Sequence, residues 1–537
     1  MGEPSRGQQA DVVATVRDGY AFEGPALELG ALLDGDRPLP DVRVRVPLGM
    51  LNRHGLVAGA TGTGKTKTLQ VMAEQLSAHG VPVFLADVKG DLSGVSQPGT
   101  PSDKLTARTA SIGQQWTPTG FPTEFLALGG QGPGVPVRAT VTSFGPVLLA
   151  RVLDLNETQS SSLALVFHFA DGAGLPLVDL KDLRAVIQFL VSAEGKDELA
   201  DLGALSKATA GVILRELIAF ADAGAEPFFG EPEFDTADLL RVAPDGRGVV
   251  TCLELPAVQD RPALFSTFLL WLLADLFHEL PEVGDVDKPK LVFFFDEAHL
   301  LFRDAPDAFV EQVTQTVRLI RSKGVGVFFV TQSPKDVEAD VLAQLGNRVQ
   351  HALRAYTPDD AKALRAAVST FPRSGYDLEE LLTTLGIGEA VVTVLAENGA
   401  PTPVAHTRLR APESLMAPAP AETLAAAVAA SPLNAEYGQA LDRESAFERL
   451  AAKPAPGPSG PAPAPTPTSA PPSPSAPAPR PEPAPRRAPE PREEPGVVRD
   501  VVTSSAFKSF LRSAGTVLGR EITRSVLGTA KRRTRKR

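Results

Sequence analysis

Two patterns in this chain combine the residue types that phosphate chemistry needs. The first is Gly59-Ala60-Thr61-Gly62-Thr63-Gly64-Lys65-Thr66, which fits the spacing G-x-x-x-x-G-K-[ST]. Its glycines let the backbone wrap closely around phosphate oxygens with several N–H groups turned inward. Lys65 has the length and charge to reach β- and γ-phosphates, and Thr66 has the hydroxyl to hold Mg²⁺. The second is Leu291-Val292-Phe293-Phe294-Phe295-Asp296-Glu297, an apolar run that delivers two acids to its end. Asp296 is expected to hold Mg²⁺ through water, and Glu297 to orient and polarise an attacking water. An Asp-Glu pair in this place favours hydrolysis of a nucleoside triphosphate over transfer to a small acceptor, so ATP and Mg²⁺ are the expected cofactors.

Such groups act only if secondary structure aims them. Gly55–Ala58 reads as a short strand before the glycine loop, and Lys67–Leu76 as a helix after it. A helix N-terminus there adds partial positive charge for the phosphates. The next apolar run, Val81–Asp87, ends in the polar turn Asp87-Val88-Lys89-Gly90-Asp91, at the strand edge where open α/β sheets bind ligands. Val325–Val330 likewise ends in Thr331-Gln332-Ser333-Pro334, where Gln332 could sense the γ-phosphate. Phosphoryl transfer builds charge that an arginine from a neighbouring subunit can stabilise. Candidates are Arg53 before the loop strand, Arg318 and Arg321 on a helix before Lys323-Gly324, and Arg348 and Arg354 flanking a late strand.

The 537 residues exceed what one core usually holds, so more than one domain is expected. A short β-rich segment with strand-like pieces Val12–Val16 and Val42–Val46 is expected over 1–50. The nucleotide-binding core is expected over 51–146 and 286–415, with a helical insertion at 147–285 between them. Within that insertion apolar residues recur at helical spacing in Val147–Leu155, Ser160–Phe169, Leu180–Ser192, Leu205–Ala221 and Leu264–Leu280. Strand patterns at Leu291–Phe295, Val325–Thr331, Val349–Ala352 and Glu389–Leu395 alternate with helices such as Ala308–Arg321. That alternation implies an α/β fold with a mostly parallel sheet covered on both faces. A helical extension follows at 416–451. Residues 452–496 collapse to Pro, Ala and Ser and read as an extended linker. Residues 497–537 read as a basic amphipathic helix and tail.

The net charge of −11 conceals an asymmetry. Residues 499–537 carry eleven Lys/Arg against two acids, which makes the tail +9 and leaves −20 for the rest. The tail therefore suits an anionic partner: DNA or RNA, an anionic membrane surface, or an acidic neighbouring subunit. The one cysteine, Cys252, excludes a disulfide framework and any cysteine-rich metal site, and lies in an apolar strand-like run. Met1–Gln9 is polar and no apolar run reaches membrane-spanning length, so a cytoplasmic protein without a transmembrane segment is expected.

Taken together, these residues resemble the HerA/FtsK branch of RecA-like motor ATPases, and most closely the bacterial HerA-like helicases. The likeness rests on His54 with Gly59–Thr66, Asp87–Gly94, Leu155–Gln159, Phe228–Pro232, Leu280–Asp285 and Lys288–Phe302. It continues through Arg318–Gly326, Thr331-Gln332, Leu345–Arg354 and Leu518-Gly519-Arg520. The resemblance implies a RecA-type core, a homo-hexameric ring, and ATP hydrolysis between subunits. It implies that an arginine just upstream of the loop strand acts across the interface; Arg53 holds that place, with Arg321 and Arg348 as further candidates. Asp87 matches an acid linked to the catalytic site in that group. The stretch before Gly55 is short for the small β-barrel with which such motors begin. Three functions are compatible with these residues: a motor on duplex DNA, a protein-remodelling or secretion-type ATPase of the same superfamily, and an ATP-dependent scaffold or switch.

Overall fold

Uninterrupted runs of Val, Leu and Phe form the centre of the molecule. In the computed structural model, which describes residues 6–199, 205–284, 286–302 and 307–452, twelve strands make one sheet. They are β1 (Ala26–Asp34), β2 (Arg37–Pro47), β3 (Gly55–Ala58), β4 (Val83–Asp87), β5 (Thr123–Leu128) and β6 (Val135–Val137). The others are β7 (Val250–Glu254), β8 (Leu291–Phe295), β9 (Val325–Thr331), β10 (Asn347–Gln350), β11 (Glu389–Thr393) and β12 (Ala405–Leu409). Their order is β2-β1-β12-β11-β10-β3-β9-β8-β4-β7-β5-β6. From β10 to β6 every neighbouring pair is parallel; from β10 to β2 every pair is antiparallel.

Every residue of β3, β4, β7, β8 and β9 is buried, as parallel strands covered on both faces require. Alternate side chains serve two cores. Phe293 and Phe295 of β8 join one cluster, with Phe84 and Phe329; Val292 and Phe294 join the other, with Phe328 and Val330. The rings pair across strands, with centroids 4.8 Å apart for Phe84–Phe293 and 5.6 Å for Phe295–Phe329.

The helices Val141–Val152, Glu157–Gly172, Leu180–Leu190, Lys207–Phe220 and Pro262–Glu279 lie over the first face. Two begin at capping boxes, Asn156 with Gln159 and Asp179 with Asp182, which satisfy N–H groups that a helix start leaves unpaired. The helix Lys65–Ala78 covers the second face through Leu69, Met72, Ala73 and Leu76.

Two expectations are corrected. Val12–Val16 belongs to the helix Arg6–Gly19. Val16 and, just past the helix end, Tyr20 are fully buried, and the Tyr20 N–H donates to the Val16 carbonyl at 3.1 Å, a four-residue spacing that suits a helix better than a strand. The stretch expected as a mostly helical insertion places its strand-like run around Cys252 in the core sheet itself, as β7 between β4 and β5. Cys252, buried there, is a packing residue. The helices Ala421–Ala430, Pro432–Tyr437 and Ala446–Ala451 follow the sheet. Asp182 tethers the last of them, accepting from the Ser445 hydroxyl and, at 2.9 Å, from the Phe447 N–H. Apart from Ala452, the Pro/Ala-rich segment 452–496 and the basic segment 497–537 lie outside the described residues.

Candidate active site

The glycine loop Gly59–Thr66 joins the C-terminal end of β3 to the helix beginning at Lys65. Gly64, the residue before that helix, has φ 111°, and Gly59 has φ 156°. A side chain at Gly59 would also meet the Cβ of His351 at 2.5 Å, so conformation and space both demand glycine there. The loop is braced from β10. The Gln350 amide donates to the Ala58 carbonyl at 3.1 Å, the His351 N–H to the same carbonyl at 2.7 Å, and the Ala60 N–H to the Ala352 carbonyl at 2.8 Å. His351 Nε2 lies 2.9 Å from the Thr68 hydroxyl. Burial, reinforced by Lys65, lowers its pKa to about 4, so the brace is a neutral imidazole. On the far side the Gly388 N–H donates to the Thr63 carbonyl at 3.0 Å.

Lys65 is buried and its ammonium donates to the Gly59 carbonyl at 2.7 Å and the Ala60 carbonyl at 3.2 Å. Burial lowers its pKa, and the nearby Glu297 and Asp296 charges work against that shift. Thr66 is the second residue of the helix.

β8, two strands away from β3, ends in Asp296 and Glu297. Asp296 is buried with Oδ2 unpartnered, and burial pushes its carboxyl up to about 7 despite the Lys89 charge. Glu297 holds φ 50°, a left-handed conformation that costs a non-glycine residue on the order of 1 kcal/mol. Burial raises the Glu297 carboxyl, but its hydrogen bond from Lys89, with the charges of Lys89, His299 and Lys65, holds it below the usual range. Lys89 Nζ bonds Glu297 Oε1 directly, and His299 Nδ1 lies 3.2 Å from Oε2.

This donor set suits a hard divalent cation. It offers one buried carboxylate oxygen without a partner and a threonine hydroxyl on the phosphate loop. Mg²⁺ typically takes one or two protein oxygens and fills its remaining positions with water and substrate phosphate. Among the described residues no group of three or more His, Cys, Asp or Glu gathers into a protein-only metal site.

Asp87 ends β4 next to β8. It is fully buried, and its carboxylate accepts four backbone N–H groups. Oδ1 takes those of Lys89 at 3.2 Å, Gly90 at 2.7 Å and Asp91 at 3.3 Å; Oδ2 takes that of Leu92 at 2.7 Å. Its oxygens are thereby committed to shaping the turn that carries Lys89. Gln332, after β9, lines a cleft of about 600 Å³ together with Ala60, Thr61, His299 and Arg354. Beside it the Thr331 hydroxyl and the Ser333 N–H both donate to Asp336 Oδ2 at 2.9 Å.

The arginines divide between the two edges of the sheet. Arg354 reaches the glycine loop, with Nη2 3.4 Å from the Thr61 carbonyl. Arg53 ends the turn Leu48–Arg53 before β3, and Arg321 opens the turn Arg321–Lys323 before β9, so both stand at the N-terminal edge. Arg348 pairs with Leu56 inside the sheet and donates to the Thr370 carbonyl at 3.4 Å. Arg53, Arg321 and Arg348 are thus not brought to the glycine loop of their own chain. Lys89 and His351 were not singled out as site residues in the sequence, although both lie within stretches that carried the resemblance. The signal available was the same for each: a polar residue just past the end of a buried strand.

The model of the helicase HerA-like C-terminal family matches residues 35–536. The chain belongs to that family. As a member of the HerA-like helicases it is a P-loop ATPase with a RecA-like core. The DNA double-strand break repair helicase HerA of Sulfurisphaera tokodaii is 22% identical over 379 residues, spanning 69% of this chain and 67% of that protein. The protein of the same description from Saccharolobus solfataricus is 21% identical over 399 residues, spanning 73% and 70%. Among solved structures, the bacterial conjugative coupling protein TrwB matches with a TM-score of 0.49 at 16% identity, covering 77% of this HerA-like chain and 94% of TrwB. Among the described residues no helix is long and apolar enough to cross a membrane.

Proposed function

We propose that this HerA-like chain is an ATP-driven motor on duplex DNA, working as a homo-hexamer with ATP hydrolysed between subunits. The observation that supports this reading best is the placement of Arg53. It stands at the opposite end of β3 from the glycine loop, and four residues at about 3.3 Å each put it roughly 13 Å from that loop. Within its own subunit it is remote from the glycine loop, the placement expected of a residue that acts on a neighbouring subunit's nucleotide; Arg321 shares that edge of the sheet.

In this reading the loop amides and Lys65 bind the β- and γ-phosphates, and Glu297 accepts a proton from the attacking water. A new bond forms between the water oxygen and the γ-phosphorus as the bond from phosphorus to the β–γ bridging oxygen breaks. ADP and inorganic phosphate leave. Bound Mg²⁺, held by Thr66 and Asp296, would neutralise charge building on the phosphate oxygens. Gln332 would respond to loss of the γ-phosphate.

The DNA relatives favour nucleic acid as the polymer, gripped through backbone contacts that weaken with salt. The charge of −20 outside residues 499–537 favours a second reading, a motor on protein. The two are separated by ATP turnover of the wild type and Glu297→Gln, with and without duplex DNA, at low and moderate salt. Turnover that rises with DNA, falls with salt and vanishes in the variant is the expected result. Turnover indifferent to DNA would overturn the DNA reading and leave the protein motor.

A further inference from the structure

Lys89 stands beside the catalytic strand yet has no place in the chemistry described so far. β4 and β8 run parallel in register, with Ala86 beside Phe295, so the turn after β4 overhangs the end of β8. Asp87 fixes that turn through four backbone N–H groups, and from it the Lys89 ammonium bonds Glu297 Oε1. The other Glu297 oxygen, Oε2, faces His299 Nδ1 at 3.2 Å. Of the two oxygens with which Glu297 could take a proton from water, Lys89 engages Oε1, while Oε2 makes no hydrogen bond.

The two partners are unequally held. The Glu297 side chain is only 9% exposed and its backbone is fixed in the left-handed region. The Lys89 side chain is 47% exposed and ends a flexible four-carbon stem whose ammonium hydrates readily. Whatever changes at this contact, the lysine moves rather than the glutamate. The half-exposed ammonium can turn out into water while the buried carboxylate stays in place.

We propose that Lys89 is a positioning residue that restrains Glu297, holding the carboxylate by one of the two oxygens that could receive the water proton until an anionic group at the half-exposed ammonium draws it away. The inference rests on the reading of Glu297 as the group that polarises water. It makes a prediction opposite to that for a supporting residue: removing Lys89 speeds basal hydrolysis.

The test uses the full chain without any polymer, at pH 8, with Lys89→Met, Lys89→Gln and Lys89→Arg compared with wild type and Glu297→Gln. Lys89→Met and Lys89→Gln are expected to raise kcat at least about threefold with KM for ATP within about twofold, while Lys89→Arg, which keeps the charge, stays near wild type. The double variant Lys89→Met/Glu297→Gln should fall to the level of Glu297→Gln. Melting temperatures near wild type confirm folding, and Lys89→Gln carries the test if Lys89→Met does not fold. Unchanged or slower turnover in the neutral variants, with Glu297→Gln inactive, overturns the restraint alone. Wild-type turnover in Glu297→Gln overturns the reading of Glu297 and the restraint with it.

Discussion

Asp87 and Glu254 stand opposite one another at the ends of the parallel strands β4 and β7, and the protein treats these two buried carboxyls in contrary ways. Asp87 receives four backbone N–H groups. Glu254 Oε1 receives none. Burial, with the Asp87 charge beside it, pushes Glu254 up to about 8, so it remains protonated near neutral pH while its neighbour organises a turn.

A pH dependence follows from this asymmetry. The folded pKa of Glu254 lies above its unfolded value, so its contribution to stability is complete below about pH 4.5 and is lost as pH rises through 8. Glu254→Gln removes the ionisable group while keeping its shape. The variant should melt like wild type at pH 5 and be more stable at pH 9, by on the order of 2 kcal/mol. Melting curves at both pH values decide it; parallel curves would show that Glu254 does not titrate in this range.

Asp87→Asn tests whether Asp87 serves the site by holding the Lys89 turn. A carboxamide has one accepting oxygen in place of two and brings an N–H₂ group into a cluster of donors. Leaving buried donors unsatisfied costs about 1–3 kcal/mol, so the variant should lose stability and ATP turnover together. Glu297→Gln, by contrast, should lose turnover without a drop in melting temperature. An Asp87→Asn protein that melts like wild type yet fails to turn over would assign Asp87 to the chemistry itself.

The sequence exposed those parts of the site that are contiguous. Gly59–Thr66 and Asp296-Glu297 are local patterns, and the structure sets them two strands apart at one sheet edge. The same holds for the parallel strands, whose unbroken Val, Leu and Phe runs advertise burial on both faces. What escaped depends on which strands become neighbours. His351 braces the glycine loop only because β10 pairs with β3, and Lys89 reaches Glu297 only because β4 pairs with β8. The apolar run around Cys252 showed the strand character of β7 but not its place in the core sheet, because its pairing partners lie more than a hundred residues away in sequence. Val12–Val16 was misread because its apolar residues recur at both strand and helix spacings, and only the burial of Val16 with Tyr20 decides between them.

An acid-dependent contribution is expected away from the site. The Glu389 carboxylate is held down to about 2, chiefly by His406, with Arg408 and the Gly386 N–H also contributing; Arg408 Nη2 lies 3.0 Å from it. A depressed acid stabilises above its unfolded pKa and loses that contribution as pH falls from about 4.5 towards 2. Glu389→Gln should cost about 2 kcal/mol at pH 7 and much less at pH 3, as read from denaturant unfolding at both pH values. An equal cost at the two would place the loss in packing rather than charge.

The division of the arginines between sheet edges makes the proposed ring testable without imaging it. If Arg53 completes a neighbour's site, Arg53→Ala and Glu297→Gln should each lower ATP turnover by about a hundredfold or more when every subunit carries the change. They damage different halves of a shared site. In a mixed assembly, an Arg53→Ala subunit still supplies Glu297, and a neighbouring Glu297→Gln subunit still supplies Arg53. Sites of that composition are intact, so mixing the two inactive proteins should restore part of the wild-type turnover, rising to a maximum near equal proportions. A Glu297→Gln/Arg53→Ala double variant mixed with unaltered protein gives the comparison, since it contributes neither half. If the two single variants remain as inactive together as apart, although subunits exchange, Arg53 does not act across an interface; the same mixing with Arg321→Ala and Arg348→Ala would then identify which of the remaining arginines does.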